Sequence, residues 1–147
     1  MKVIVDKGIK QFAELIPLLY GLDELNIRYL DSFEITKDSL DDTEVLLIRS
    51  TTKINSDLLH NSAIKFIGSA TAGFDHMDTK YLDQNDISWC YSPGCNSSSV
   101  VHYVMSSIGY LIESNFFDIN DSVGIIGYGM VGSKLSKALN EIGIKNI

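Results

Sequence analysis

Near one end of this 147-residue chain, Gly127, Tyr128, Gly129, Met130, Val131 and Gly132 form the pattern G-x-G-x-x-G. An apolar run, "VGIIG", leads into it. A helical segment, "VGSKLSKALNEIG", leads out, with Leu135, Ala138, Leu139 and Ile142 on one face. In that setting each glycine has a physical role. Gly127 permits a tight turn, Gly129 lets the backbone approach a pyrophosphate, and Gly132 lets the helix pack closely on the strand. The diphosphate would rest on unpaired backbone N–H groups at the positive end of the helix. The flanks favour this dinucleotide grip over a plain glycine-rich turn. The same fingerprint needs an acid about 20 residues on for the ribose hydroxyls. Counted from Gly127, that place falls at or just beyond Ile147, and "KNI" reads as the start of the strand that would carry it.

Other reactive side chains form weaker constellations. Asp75, His76 and Asp78 in "FDHMD" lie between a strand and a helix, where Asp78 is placed to cap and Gly73 to turn, so capping is favoured over a metal site or charge relay. Cys90 and Cys95 are too few for a zinc-ligand set or a disulfide framework and read as reduced thiols. Cys95 has nothing near it in sequence to activate it as a nucleophile. His60 reads as a surface residue, and no metal site is expected.

These residues must be positioned by a regular scaffold. Short β-rich runs recur with room for one helix between them: "KVIV" (2–5), "IRYL" (27–30), "EVLLIR" (44–49), "IKFIG" (64–68) and "SWCY" (88–91). Phe12, Leu15, Ile16 and Leu19, and then Leu58 and Leu59, have helical spacing, with Pro17 set to delay or kink the first helix. Alternation of this kind predicts an α/β fold, a parallel sheet covered on both faces. The longest helical signal is "SSSVVHYVMSSIGYLIES". Val100, Val101, Val104, Met105, Ile108, Leu111 and Ile112 make one broad apolar face, with Ser97 to Ser99 as candidate N-caps. A fresh strand is expected from about Ser122, which places a boundary near residue 118.

Bulk properties exclude several classes. Apolar residues at 45 % suffice for a core, and 21 % charged residues are ordinary for a globular protein. The net charge of −7, without any Lys/Arg run, argues against nucleic acid or an anionic membrane as partner. The start, "MKVIVDK", is too short in apolar residues for a signal-peptide core, and no run approaches a membrane span. A cytoplasmic protein is expected.

Four stretches taken together carry a resemblance: "IRSTTKIN" (48–55), "GSATAGFDHMD" (68–78), "SPGCNSSSVVHYV" (92–104) and "VGIIGYGMVG" (123–132). In order and spacing they resemble the D-2-hydroxyacid dehydrogenase family. "PGCN" followed by "VV-YV" is the most specific piece and the glycine loop the least. The similarity runs over essentially the whole chain but covers only the amino-terminal part of such an enzyme. The resemblance implies a flavodoxin-like parallel-sheet lobe for substrate, residues 1–96, and a connecting long helix and linker, 97–118. It implies that residues 119–147 open an incomplete Rossmann lobe for NAD. It further implies hydride transfer between NAD and the carbon bearing a 2-hydroxyl. "RSTTKIN", "ATAG-DH-D" and "PGCN" point to members that oxidise 4-phospho-D-erythronate to the 2-oxo acid, an early step toward pyridoxal phosphate.

Carried over one residue at a time, Ser50 and Thr71 match substrate-contacting positions. Both lie just past strand carboxyl ends, where open α/β sheets place ligands. Arg49 and Lys53 flank Ser50, and a substrate with a carboxylate and a phosphate needs concentrated positive charge. For Lys53 an exposed surface charge is as good a reading. His102 stands where the wider family usually carries Glu. The family's catalytic Arg, and its His paired with Glu, are expected beyond Ile147, so no catalytic residue is assigned here. A homodimer is expected for the complete enzyme. The isolated chain is expected to be poorly folded near its end, to bind NAD weakly and to lack dehydrogenase activity. Another D-2-hydroxyacid dehydrogenase, such as one acting on 3-phosphoglycerate, and a non-catalytic small-molecule-binding module remain alternatives.

Overall fold

A computed structural model describes residues 1–9 and 25–145. The helix expected around residues 12–19 lies outside them, as do Asn146 and Ile147. The chain divides into two compact units, Met1–Pro93 and Gly94–Ile147.

In the first unit all five β-rich runs become strands: β1 (Lys2–Asp6), β2 (Asn26–Leu30), β3 (Val45–Ile48), β4 (Phe66–Ser69) and β5 (Ser88–Tyr91). They form one parallel sheet in the order β2-β1-β3-β4-β5, the doubly wound order of flavodoxin-like folds. The register aligns Arg28, Ile4, Leu46, Ile67 and Trp89 in one transverse row. Ile4, Leu46 and Ile67 at its centre are fully buried, and Trp89 at the edge packs against the same core. Each such burial contributes about 1.5–3 kcal/mol. Val3, Ile4 and Val5 are consecutive and all buried, so both faces of β1 are covered, as a central parallel strand requires.

Among the described residues of this unit, two short α-helices flank the sheet. In α1 (Ser56–Leu59) the Asn55 side chain caps the start, accepting from the Leu58 N–H at 3.0 Å. In α2 (Thr79–Gln84) Asp78 does the same for the Tyr81 N–H at 3.1 Å, as its sequence position suggests. Leu59 and Leu82 are the core-facing residues of these helices.

The second unit is built on α3 (Ser97–Glu113) and α4 (Met130–Glu141), which pack on each other. Val101, Leu139 and Ile144 are buried there. The apolar stripe of α3 is only partly covered: Val104, Met105, Ile108 and Ile112 are half-buried, while Val100 and Leu111 are exposed. The N-cap of α3 is Asn96, not one of the serines. Ser97 already lies in the first turn, and its hydroxyl donates to the Gly94 carbonyl at 2.7 Å.

The strand expected over residues 122–127 is not formed: no ladder partner faces it among the described residues. A strand exists only through hydrogen bonds to a neighbour. Val123 and Ile125 are half-buried, but Gly124 and Ile126 are exposed, so only one side of this segment is covered.

Candidate functional site

Two regions carry the residues singled out above, one in each unit. In the first unit they gather at the carboxyl ends of the central strands. Asp6 closes β1 and is completely buried. Arg49 follows β3, and its Nε donates to Asp6 Oδ1 at 3.0 Å, with Nη2 also 3.0 Å from that oxygen. The Gly8 N–H adds a third bond to Oδ1 at 2.7 Å. A Cβ at residue 8 would overlap the Arg49 guanidinium, so glycine is needed for the side chain to lie there. Among the described residues Asp6 Oδ2 is buried without a partner. Arg49 is therefore anchored along one edge, and its side chain stays 40 % exposed. No protein group is bonded to its Nη1 among the described residues.

Ser50 and Lys53 are exposed beside it, whereas Thr52 is buried, its Oγ1 without a partner among the described residues. This turn is stitched to the loop after β4. The Ile54 N–H donates to the His76 carbonyl at 2.8 Å, and the Asp78 N–H donates to the Ile54 carbonyl at 2.9 Å. "IRSTTKIN" and "ATAGFDHMD", distant in sequence, are thereby fixed side by side.

Thr71 is half-buried in that second loop. Its Oγ1 donates to the Gly73 carbonyl at 3.0 Å and lies 2.6 Å from Ser69 Oγ. Ser69 Oγ in turn lies 2.9 Å from His76 Nε2. Ser92 closes the arrangement from the end of β5. Its N–H donates to the Thr71 carbonyl at 3.0 Å and its Oγ to the Ser69 carbonyl at 3.3 Å. Burial holds the His76 imidazole below its ordinary pKa, against an opposing pull from the Asp75 carboxylate. Asp6, Ser69 and Ser92 were not singled out in the sequence. The available signal was their position as the polar ends of apolar runs, where open α/β sheets gather ligands.

In the second unit the six-residue glycine loop leads into α4. Gly127 has φ +97°, in the left-handed region glycine favours. Gly129 is the N-cap of α4, and a Cβ added there or at Gly127 would meet nothing within 4 Å. Gly132 is the opposite case: a Cβ would overlap the Gly127 carbonyl oxygen and lie 3.2 Å from Ile125 Cγ2. The loop is thus closed behind Gly132 and open in front of Gly127 and Gly129. The first-turn N–H groups of α4, including those of Met130, Val131 and Gly132, have no intrahelical acceptor. Ser133 Oγ donates back to the Gly129 carbonyl at 2.7 Å. No acidic side chain sits in this first turn, and Tyr128 and Met130 are exposed beside it. An open backbone cradle at a helix's positive end, free of acidic groups, fits a dinucleotide's pyrophosphate.

Lys134 Nζ donates to Ser97 Oγ at 2.6 Å and tethers α4 to the start of α3. His60, His102, Cys90 and Cys95 are exposed, and the cysteines are free. No cluster of metal-ligating side chains exists among the described residues, and none of their helices is long and apolar enough to cross a membrane.

A family model for the D-isomer specific 2-hydroxyacid dehydrogenase catalytic domain matches residues 4–142. The chain is 39 % identical to the erythronate-4-phosphate dehydrogenase of Proteus mirabilis, over 98 % of this chain and 37 % of that protein. It is 41 % identical to the enzyme of that name from Pectobacterium carotovorum, over 100 % of this chain and 38 % of the relative. The chain thus spans little more than a third of the length of these relatives. Among solved structures it resembles the NAD+-bound 3-phosphoglycerate dehydrogenase of Entamoeba histolytica. That match has a TM-score of 0.75 and 22 % identity, covering 99 % of this chain and 52 % of the other. D-lactate dehydrogenase of Aquifex aeolicus, complexed with NAD and lactic acid, matches with a TM-score of 0.66 and 20 % identity, over 97 % and 49 % of the two chains.

Proposed function

The chain belongs to the D-isomer specific 2-hydroxyacid dehydrogenase family, and from that premise we propose that it provides the binding elements of an NAD-dependent erythronate-4-phosphate dehydrogenase. In this reading residues 1–96 form the substrate lobe, 97–118 connect, and 119–147 open the NAD lobe. The reaction is oxidation of the C2 hydroxyl of 4-phospho-D-erythronate to the 2-oxo acid, in pyridoxal phosphate biosynthesis. Identity of 39–41 % to relatives of that name, across almost the whole chain, supports the choice of substrate.

The observation that carries the cofactor half is the pair of opposite glycine environments. Gly132 is filled from behind by the Gly127 carbonyl, while Gly129 opens onto free space. The backbone N–H groups from Gly129 to Gly132 donate to pyrophosphate oxygens in that space. Bound NAD supplies the hydride acceptor.

On the substrate side the ligand carries a carboxylate and a phosphate, whereas the chain has a net charge of −7. Local positive charge is therefore required. Arg49, held by Asp6 and without a partner at Nη1 among the described residues, supplies it, and the Ser50 and Thr71 hydroxyls orient the anion by donating hydrogen bonds. Lys53 adds charge at longer range. Proton abstraction from the C2 hydroxyl is not assigned to any of these residues, because the family's Arg, Glu and His motifs have no match within residues 1–147.

Thermal unfolding of the 147-residue chain with NADH, with 4-phospho-D-erythronate and with 3-phosphoglycerate tests the reading. A ligand at a hundredfold over its Kd adds about 2.7 kcal/mol. NADH and 4-phospho-D-erythronate are each expected to raise the midpoint, and the chain alone is expected to show no turnover. Preference for 3-phosphoglycerate would move the substrate assignment to another family member. Silence toward all three ligands would remove the binding function altogether.

A further inference from the structure

The row of polar groups after β4 has a direction built into it. Thr71 Oγ1 reaches the Gly73 carbonyl at 3.0 Å and Ser69 Oγ at 2.6 Å, and Ser69 Oγ reaches His76 Nε2 at 2.9 Å. A carbonyl oxygen only accepts, so the single hydroxyl hydrogen of Thr71 goes to Gly73. Ser69 must then give its own hydrogen to Thr71. Its oxygen is left to accept, and Nε2 of His76 must carry the hydrogen it accepts. The opposite direction, from Thr71 through Ser69 to a bare Nε2, would satisfy two of the three contacts and leave Gly73 unserved. Ser69 is 3 % exposed, so water offers its hydroxyl little alternative.

We propose that His76 is a positioning residue: as the Nε2–H tautomer it acts through Ser69 to turn the Thr71 hydrogen away from the relay. That hydrogen goes to the Gly73 carbonyl at rest, and to an anionic oxygen when a phosphorylated 2-hydroxy acid binds. The inference rests on Thr71 being a substrate contact, as in the function proposed above. A carboxylate or phosphate oxygen is a stronger acceptor than a neutral carbonyl. The last hydrogen therefore changes partner while every other bond in the row is kept. The imidazole that drives the row is pinned through its own backbone, since the His76 carbonyl accepts from Ile54. Burial favours its neutral form, and that makes the choice of tautomer decisive. An imidazolium also donates from Nε2, so only the neutral Nδ1–H form would reverse the row.

The test begins without ligand. Long-range proton–nitrogen correlation spectra of the uniformly 15N-labelled chain report the tautomer of each of the three histidines, with His76 identified through His76→Gln. A neutral His76 protonated on Nε2 is expected; protonation on Nδ1 overturns the proposal and needs no variant to do so. Titration with 4-phospho-D-erythronate then follows. His76→Leu frees Ser69 to accept the Thr71 hydrogen and is expected to weaken binding about tenfold, the loss of one charge-assisted hydrogen bond, whereas Ser69→Ala removes that competing acceptor and should bind like the parent. His76→Gln, whose side-chain amide donates from a comparable place, should stay within about threefold of the parent. Parent-like affinity in His76→Leu also overturns it. If the parent chain ignores 4-phospho-D-erythronate while its tautomer is the expected one, the substrate reading fails and the directed row stands.

Discussion

The guanidinium of Arg49 donates through Nε to a single oxygen of a fully buried Asp6, with Nη2 3.0 Å from the same oxygen, while its outer edge faces solvent. A charge wanted for an anion is thus also the counter-ion of a buried carboxylate. Replacing Arg49 by Ala strands that carboxylate, which costs 3–5 kcal/mol for a fully buried pair; with Arg49 40 % exposed, about 2–3 kcal/mol is expected. Loss of substrate binding in Arg49→Ala alone is therefore ambiguous. The double variant Asp6→Asn, Arg49→Ala separates the two effects: part of the stability should return in urea unfolding, while affinity for 4-phospho-D-erythronate should not. Recovery of both would show that Arg49 supports the fold only.

His76 adds a pH dependence with a definite sign. Its folded pKa lies below the ordinary 6.5. Around that pH the unfolded chain binds more protons than the folded one, so stability rises with pH. The contribution is fully present above about 6.5 and is lost as pH falls toward the folded value. The difference in unfolding free energy between the parent and His76→Gln should shrink on acidification through this window. A difference that is flat with pH would mean the ring is not desolvated.

Among the elements, the glycine loop gives two substitutions of identical chemistry and opposite outcome. Gly132→Ala drives a methyl group into the Gly127 carbonyl within the first turn of α4. Overpacking of this kind costs about 1–3 kcal/mol, against up to about 1 kcal/mol gained from helix propensity, so net destabilisation is expected. Gly129→Ala meets nothing within 4 Å, and its φ of −90° suits alanine. Stability should hold within about 0.5 kcal/mol, while NADH binding falls because the new methyl group occupies the pyrophosphate's approach. Equal NADH affinity in Gly129→Ala and the parent would mean the ligand does not use this loop. The turn at Gly127 and the close packing at Gly132 were legible in the sequence because glycines at fixed spacing between a run and a helix have few structural meanings. The five strands were legible for a similar reason, as apolar runs at regular intervals. Asp6 and Ser69 were not, because a polar residue ending a strand has no spacing signature until neighbouring strands bring it beside Arg49 or His76. The α3 cap was misplaced by one residue because serines and Asn96 stand together, and the Gly94 carbonyl takes the Ser97 hydroxyl.

At the scale of the whole molecule, the two units differ in how their backbone groups are satisfied. In the first, β1, β3 and β4 have hydrogen-bonded neighbours on both sides, and Ile4, Leu46 and Ile67 are fully buried between them. In the second, α3 and α4 satisfy most of their own backbone, but residues 122–127 have no ladder among the described residues, and Ile126 is fully exposed. The apolar pattern that predicts a strand there is real, since Val123 and Ile125 turn to the covered side. Periodicity specifies which side chains face inward, whereas a strand also needs a partner that no local pattern supplies. Opening free energies should divide accordingly, because exchange protection follows hydrogen bonding and burial. In native-state hydrogen exchange the amides of Ile4, Leu46 and Ile67 are expected to exchange only through global unfolding of their unit. Those of Gly124 to Gly127 are expected near the rates of an unstructured peptide. NADH should slow amides around Gly129 to Gly132 and leave the β1–β4 amides unchanged. Strong protection of Gly124 to Gly127 without ligand would mean that the segment finds a strand partner in solution, either elsewhere in the chain or on a second copy.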